Sequence, residues 1–256
     1  MAALGVALSA LMGLAVGSFL NVVVQRVPLR LSVVHPRSQC PGCQAPVRPR
    51  DNVPIVSWLV LRGRCRHCAG PISPRYPLVE ALTAALFVAV TLRLGLGAAV
   101  PAYWLFAAVM VAVSAIDLEH SIVPNRIVYP ALAAAVPLLV GASLLRHALP
   151  SLETAAAGGA VAFAALFAIH LVQPRGMGFG DVRLAGLIGL FLGWFSLGQV
   201  AVGLFLGFLL AGVVGLALMA LGRAGRKTRV PFAPFLAAGA MVSVLWGAPL
   251  VRLWVG

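Results

Sequence analysis

The chain has 256 residues, of which 61% are hydrophobic and only 10% are charged, whereas about 25% of the residues of an ordinary soluble domain are charged. This composition excludes a single water-soluble globular domain. The 27 glycines and 18 prolines follow no short repeat, which also excludes a collagen-like or disordered chain. The sequence is typical of a membrane protein whose function depends on its few polar residues.

Apolar segments of helical length recur along the whole chain. A helix rises about 1.5 Å per residue, so roughly 20 residues cross the hydrocarbon core of a bilayer. The segments lie at residues 2–25, 76–92, 101–118, 127–145, 154–172, 182–197, 199–221 and 231–255. Between the sixth and seventh segments, Ser196, Gly198 and Gln199 predict a turn. We therefore expect an all-α polytopic membrane protein with about eight transmembrane helices and a large loop between the first two.

The first of these segments differs from a secretory signal. No basic residue precedes its apolar run, and its positive charges follow the run instead. We therefore expect a retained first transmembrane helix. The sequence then divides into this helix (residues 1–25), the loop (residues 26–75) and a seven-helix membrane portion (residues 76–256).

Glycine pairs four residues apart occur in two of the later segments. Gly189 and Gly193 form one pair, and Gly203 and Gly207 form the other. Small residues at this spacing allow helices to approach closely in lipid. The pairs predict tight helix packing and carry no information about chemistry.

The net charge is +13, and the basic residues are distributed as in a transmembrane protein. Cytoplasmic loops of membrane proteins are enriched in Lys and Arg. If residues 26–75 are cytoplasmic, alternation places 16 of the 19 basic residues on that side: Arg26, Arg30, Arg37, Arg48, Arg50, Arg62, Arg64, Arg66, Arg75, Arg126, Arg175, Arg183, Arg223, Arg226, Lys227 and Arg229. Only Arg93, Arg146 and Arg252 fall on the other side. The pattern predicts a multi-pass protein of the cytoplasmic (inner) membrane with both termini outside.

All four cysteines lie in the basic loop. They form two CxxC pairs, Cys40 with Cys43 and Cys65 with Cys68, separated by 21 residues. Two such pairs supply the tetrahedral Cys₄ set that zinc favours. The alternative is two disulfides, which a reducing cytoplasm disfavours. A Cys₄ site leaves no open position, so we expect a structural zinc that folds the loop and takes no part in catalysis.

Two aspartates stand at the predicted cytoplasmic ends of helices. Asp117 ends the third span, and Asp181 follows a glycine-rich turn that contains Gly178 and Gly180. An ionisable residue in a membrane span usually marks a functional site, and two neighbouring carboxylates can share a proton as in aspartic proteases. The alternative for Asp181 is a helix cap, and for Asp117 an ion pair with Arg126.

The residues around these aspartates resemble a known family. Gly-Phe-Gly-Asp at 178–181 is similar to the GxGD motif of intramembrane aspartic proteases, and residues 115–119 with 123–125 resemble its partner segment in bacterial type IV prepilin peptidases. Both CxxC pairs also match, as do residues 17–23, 52–59, 61–65, 75–80 and 231–237. Asn125 departs from the pattern, because many members carry Asp there.

The resemblance implies an aspartic endopeptidase that removes the leader of type IV prepilins or of type II secretion pseudopilins. Such enzymes cut a short basic leader after a glycine, at the cytoplasmic face of the membrane. Asp117 and Asp181 would be catalytic, with Gly178, Gly180 and Glu119 in supporting roles, Glu119 by helping to hold the basic leader. Members with the cysteine loop often also methylate the new N-terminus with S-adenosylmethionine. The chain has no glycine-rich nucleotide-binding turn, so no residues are assigned to that cofactor.

Two other classes of protein fit parts of the sequence. A transporter with a zinc-bearing loop would need polar groups near the bilayer midplane, where the chain offers little beyond Ser9, Thr83 and Ser143. A basic scaffold would bind RNA or lipid, but residues 26–75 contain no Tyr or Phe and only Trp58. They therefore lack a platform on which bases stack. Anionic lipid is the expected partner of this loop, and nucleic acid is not.

The histidines were not expected to act in catalysis. His170 lies near the cytoplasmic end of the fifth span, where a buried structural role is the favoured interpretation and a place near the aspartates is the alternative. His67 lies inside the second CxxC pair and is expected to be a surface spacer.

Overall fold

The computed structural model describes residues 2–174, 176–223 and 230–255. Within these ranges the regular elements are helical, and the chain divides into two compact units, Met1–Leu96 and Gly97–Gly256. Four basic residues of the predicted cytoplasmic loops lie outside the described residues: Arg175, Arg226, Lys227 and Arg229.

The first unit is built on two long helices joined by the cysteine loop. Helix α1 runs over Ala2–Arg26, the short helix α2 over Val56–Val60, and α3 over Arg75–Leu94. Helices α1 and α3 pack along their length, and Ser9 Oγ lies 2.9 Å from Thr91 Oγ1 between them. Because α3 belongs to this unit, the compact division falls after residue 96, whereas the sequence-based division began the second portion at residue 76.

Six helices form in the described part of the second unit. These are α4 (Val100–His120), α5 (Asn125–Leu145), α6 (Pro150–Val172), α7 (Phe179–Gly193), α8 (Leu197–Ala220) and α9 (Ala233–Val255). Helix α6 packs against α7, α8 against α9, and α4 against both α5 and α9. Helices α4 and α7 are the most buried. Each of these two central helices carries one of the predicted catalytic aspartates.

Seven of the helices are long and apolar enough to cross a membrane, which confirms the predicted class of multi-pass helical membrane protein. A helix also forms at each of the eight predicted spans. Helix α7 is the exception in length, since its 15 residues extend only about 22 Å and the hydrocarbon core is about 30 Å thick. The predicted span at 182–197 is confirmed as a helix of about the predicted length, but it begins three residues earlier, at Phe179.

The ends of α7 explain its length. It begins beside a polar cavity, and it stops at Gly193, before the turn that precedes α8. In that turn Ser196 caps α8, because its Oγ accepts a hydrogen bond from the Gln199 backbone N–H over 3.2 Å. The predicted division of residues 182–221 into two helices is confirmed.

The glycine pairs lie where helix backbones touch. A Cβ on Gly189 would meet the carbonyl oxygen of Gly158 in α6, and a Cβ on Gly193 would lie 2.5 Å from the carbonyl oxygen of Thr154. Gly203 and Gly207 of α8 face Gly239 of α9 in the same way. The predicted role of these glycines in close packing is confirmed.

Candidate active site and metal centre

A cavity of about 370 Å³ opens where α4 ends and α7 begins. It brings both predicted catalytic aspartates into one site, although they are 64 positions apart in the sequence. Its lining consists of Asp117, Ser121, Ile122, Val123, Asn125, Gly178, Gly180, Asp181 and Arg183.

Asp117 reaches this cavity from the last turn of α4. Its side chain is nearly buried, and its Oδ2 accepts a hydrogen bond from the Ala233 backbone N–H over 3.0 Å. Ala233 is the first residue of α9. Within the described residues, the Asp117 carboxylate is therefore held by a backbone N–H. The alternative interpretation expected an ion pair with Arg126 instead.

Asp181 is the third residue of α7, so its carboxylate lies beside the first turn of that helix. The N-cap residue is Gly178, whose carbonyl accepts the Asp181 backbone N–H over 3.0 Å. The Gly178 backbone N–H in turn bonds to the Asp181 side chain, so the helix-capping alternative is retained for this residue. The same buried carboxylate also lines the cavity.

Gly180 allows the two central segments to meet. A Cβ at this position would lie 2.8 Å from the Cβ of Val123, in the segment that connects α4 to α5. At Gly178, an added Cβ would only touch Asp181 Oδ2 at 3.4 Å. The close contact between these two segments therefore requires glycine at position 180. At position 178 a Cβ would make only an ordinary contact with a side-chain oxygen.

Glu119 lies outside the residues that line the cavity. Its side chain is 39% exposed, and its Oε2 lies 3.9 Å from His120 Nε2. This position at the end of α4 suits contact with a molecule approaching the cavity, rather than participation in the reaction.

Arg183 is a cavity residue whose role the sequence did not reveal. Its guanidinium packs over the rings of Phe179 and Tyr129, at 4.5 and 5.8 Å from their centroids. Its buried Nε has no hydrogen-bond partner among the described residues. The sequence contains one signal for this residue, a cation two positions after Asp181. Asn125 also lines the cavity.

His170 supports the glycine-rich turn from outside the cavity. Its Nδ1 lies 2.8 Å from the carbonyl oxygen of Met177, and its ring packs against Phe179 at 5.6 Å between centroids. These contacts favour the structural role for this histidine.

The mid-span polar residues that a transporter would use are already paired. Ser9 Oγ donates to the Gly5 carbonyl over 2.6 Å, and Thr83 Oγ1 donates to the Val79 carbonyl over 2.7 Å. Ser143 Oγ accepts the indole N–H of Trp194 over 2.9 Å. None of the three lines either described cavity, which argues against a polar pathway through them.

The four cysteines form a site that fits a metal ion. The Sγ atoms of Cys40, Cys43, Cys65 and Cys68 all lie within 4.8 Å of one another, and those of Cys40 and Cys68 are 3.8 Å apart. Four thiolates around one tetrahedral zinc, each at about 2.3 Å, would lie about 3.8 Å from one another. The geometry and the donor set therefore both fit zinc.

The two cysteine pairs have the same local structure. In the first, the Cys40 N–H donates to the Ala45 carbonyl and the Gln44 N–H to the Cys40 carbonyl; in the second, Cys65 bonds to Gly70 and Ala69 to Cys65 in the same pattern. Gln44 and Ala69, both four residues after the first cysteine, have positive φ angles. Each turn aims two sulfur atoms at one point, so the loop is a duplicated metal-binding knuckle.

The thiols of the metal site differ in pKa. At Cys43 the Ala45 backbone N–H lowers the pKa, but burial and the neighbouring cysteines outweigh it and raise the pKa to about 11. The backbone N–H groups of Cys68 and His67 lower the pKa of the Cys65 thiol to about 6.

Arg66 Nε shares its N–H between both carboxylate oxygens of Asp51 at 3.0 Å, and Nη2 donates to Oδ1 over 2.6 Å. This contact lowers the pKa of Asp51. The single acid of the loop is thus paired beside the metal site.

The comparisons with known proteins agree with the division of the chain into two units. The family described as "Bacterial Peptidase A24 N-terminal domain" matches residues 11–94, and the "Type IV leader peptidase family" matches residues 104–220. These matches follow the two compact units of the structure. No solved structure matches the chain significantly.

Several curated relatives are similar over most of the chain, each bearing the name "Prepilin leader peptidase/N-methyltransferase". The protein of Aeromonas hydrophila is 35% identical, over 96% of this chain and 92% of the relative. That of Bacillus subtilis (strain 168) is 33% identical over 95% of both chains, and that of Myxococcus xanthus (strain DK1622) is 40% identical over 85% of this chain and 64% of the relative. The chain therefore belongs to the type IV leader peptidase family.

Proposed function

We propose that the chain is a membrane aspartic endopeptidase that removes the leader peptide from type IV prepilins or type II secretion pseudopilins after a glycine. One observation carries this proposal, namely that two buried aspartates from the two central helices line the same cavity. The names of the relatives support the substrate class.

The chemistry follows from sharing one proton between Asp117 and Asp181. Two close carboxylates do not both ionise easily, so one is charged while the other is protonated. The charged carboxylate takes a proton from water, whose oxygen bonds to the scissile carbonyl carbon, while the protonated one donates to the carbonyl oxygen. The C–N bond then breaks as the new amine receives a proton, and the dyad returns to its starting state.

The cavity lies at the ends of helices, where a substrate enters from the membrane surface. The distribution of basic residues supports a cytoplasmic position for residues 26–75 and for the active site, with both termini outside. Glu119 would contribute an attractive charge toward a basic leader, and the basic loop would contact anionic headgroups.

Zinc would be held by Cys40, Cys43, Cys65 and Cys68 and would fold the loop. A complete set of four sulfur ligands gives the metal no free position for water or substrate. Its contribution is therefore to stability, because metal binding and folding of such a loop are coupled.

The second proposed activity is N-methylation of the new N-terminus. The names of the relatives include "N-methyltransferase". The first unit matches the family described as "Bacterial Peptidase A24 N-terminal domain". S-adenosylmethionine would supply the methyl group when bound. We assign this activity to the first unit, which contains the cysteine loop.

Co-expression with a tagged prepilin, followed by mass spectrometry of the prepilin N-terminus, tests both activities. Loss of the leader reports cleavage, and an added methyl group on the new N-terminus reports methylation. A prepilin that keeps its leader in the presence of the folded, membrane-inserted enzyme would refute the proposed peptidase activity.

A further inference from the structure

Glu80 is a buried carboxylate that the proposed cleavage does not use. It lies in the second turn of α3 and is 7% exposed. Its Oε2 accepts the Ile55 backbone N–H over 2.7 Å, and its side chain also bonds to Ser18. Within the described residues, no Lys or Arg forms an ion pair with Glu80.

Anchoring the loop does not by itself require a carboxylate here. An amide oxygen would accept the Ile55 N–H equally well, and it would avoid the cost of burying a charge without a counter-charge. A buried ionisable group in a membrane helix indicates a functional site by default. The missing counter-charge therefore points to a cation that is not part of this unit.

A small cavity adjoins the Glu80 carboxylate. Its volume is about 70 Å³, several times the roughly 10–15 Å³ that one water needs by the same kind of measure. Its wall includes the carboxylates of Asp51 and Glu80, the backbone at Ile55, and the aromatic side chains of Trp58 and Tyr76. Asp51 is already neutralised by Arg66, so Glu80 is the uncompensated charge of this cavity.

The backbone of the cavity wall is strained at Ile55. This β-branched residue has φ 61° and ψ −51°, and the Val56 N–H bonds to the Pro54 carbonyl over 2.6 Å in a tight γ-turn. A positive φ is a true outlier for such a side chain. Strain of this kind is concentrated at ligand sites, and here it directs the Ile55 N–H toward Glu80.

We infer that this cavity binds the primary amine of a peptide N-terminus, with Glu80 as its ionic partner and proton acceptor. An ammonium group brings the missing positive charge together with N–H donors. The indole of Trp58 and the ring of Tyr76 provide aromatic walls, which also favour a cation. The cavity holds an amine and its adjoining atoms but not a whole nucleoside.

This inference rests on the proposed N-methylation and assigns its acceptor site. The bound ammonium loses one proton to the Glu80 carboxylate, and the freed nitrogen lone pair bonds to the methyl carbon of S-adenosylmethionine. The carbon–sulfur bond breaks, its electron pair stays on sulfur, and S-adenosylhomocysteine leaves. The products are a methylated ammonium and a protonated Glu80, which returns its proton to water.

The variant Glu80→Gln separates the charge of Glu80 from its anchoring role. Its amide oxygen still accepts the Ile55 N–H, but it neither balances an ammonium nor takes its proton. We expect prepilin cleavage and zinc content to stay normal, while the rate of methylation falls by about 100-fold or more. The exposed Glu153 provides the matched control Glu153→Gln, which should leave both activities unchanged.

A binding measurement tests the site without turnover. Calorimetry with a peptide that carries the mature N-terminus should show tighter binding of the free amine than of its N-acetylated form to the wild type, and no preference in Glu80→Gln. Normal methylation by Glu80→Gln would overturn the inference, and so would loss of zinc by this variant, which would assign the carboxylate to loop folding. If the wild type methylates nothing, the proposed methylation fails, while the amine preference still decides the binding site.

Discussion

The Ala233 backbone N–H donates a hydrogen bond to Asp117 Oδ2 across 3.0 Å. This contact joins the beginning of α9 to the end of α4, so a segment 116 positions later in the sequence orients one of the two cavity carboxylates. Residues 231–237 resembled the family, although the sequence alone offered no reason for their pattern. The hydrogen bond supplies that reason, because Ala233 is fully buried and presents its N–H where the carboxylate requires a donor.

Replacing either cavity aspartate should abolish cleavage. In Asp117→Asn or Asp181→Asn the amide neither takes a proton from water nor passes one to the leaving amine, so we expect a loss of more than about 100-fold in each single variant. Processing of a co-expressed prepilin at matched enzyme levels measures this loss.

Glu119→Gln is the control for the two aspartate variants. Glu119 is close in sequence to Asp117 but does not line the cavity, so this variant should retain measurable cleavage. Near-normal cutting by either Asp→Asn variant would contradict the shared-proton mechanism.

The helices could be predicted from the sequence because apolar length alone determines where membrane helices form. The cysteine pairs were equally clear, since their spacing directly reflects the coordination geometry of zinc. The start of α7 at Phe179 was not predictable from hydropathy, because Gly180 and Asp181 interrupt the apolar pattern and yet belong to the helix.

Long-range contacts account for what the sequence did not reveal about the sites. Arg183 was counted as a topological charge, since its packing on Phe179 and Tyr129 depends on how α5 meets α7. Glu80 seemed to be only the beginning of a span, since its partner Ile55 lies 25 positions earlier. Such pairings arise from tertiary packing, which a single sequence does not specify.

Loss of one zinc ligand should destabilise the loop. Purified protein is expected to carry about one zinc per chain, and Cys43→Ser or Cys68→Ser should lower both metal content and resistance of the loop to proteolysis. Elemental analysis with limited proteolysis measures both. His67→Ala is the control, since His67 is not among the four residues of the metal site, and it should keep its zinc. Protein with four reactive thiols and no bound metal would contradict the assignment.

The distribution of basic residues predicts which loops face the cytoplasm. Reporter domains fused after residue 50 or residue 223 should be cytoplasmic, whereas one fused after Arg146 should lie outside. A phosphatase that is active only outside and a fluorescent protein that folds only inside provide paired readouts. If the fusion after residue 223 lies outside, the alternation fails and the cytoplasmic active site fails with it.

Adding one methyl group between α6 and α7 should destabilise the second unit. A Cβ at Gly189 would meet the Gly158 carbonyl oxygen and would lie 2.5 Å from the Cβ of Ala162, so the helices must move apart. Overpacking of this kind costs about 1–3 kcal/mol. We therefore expect Gly189→Ala to lower the thermal unfolding midpoint in detergent and to reduce cleavage, because α7 also carries Asp181.

Gly212→Ala makes the same chemical change in α8, where an added Cβ would have no atom within 4 Å. Any general effect of replacing glycine in a helix is present in this control, and alanine is the better helix former. Gly212→Ala should therefore match or slightly exceed the wild type in unfolding midpoint and should match it in cleavage. Equal unfolding midpoints and cleavage in the two variants would show that the packing of α6 against α7 does not depend on close contact at Gly189. If only Gly189→Ala loses stability and cleavage, that contact helps to position Asp181.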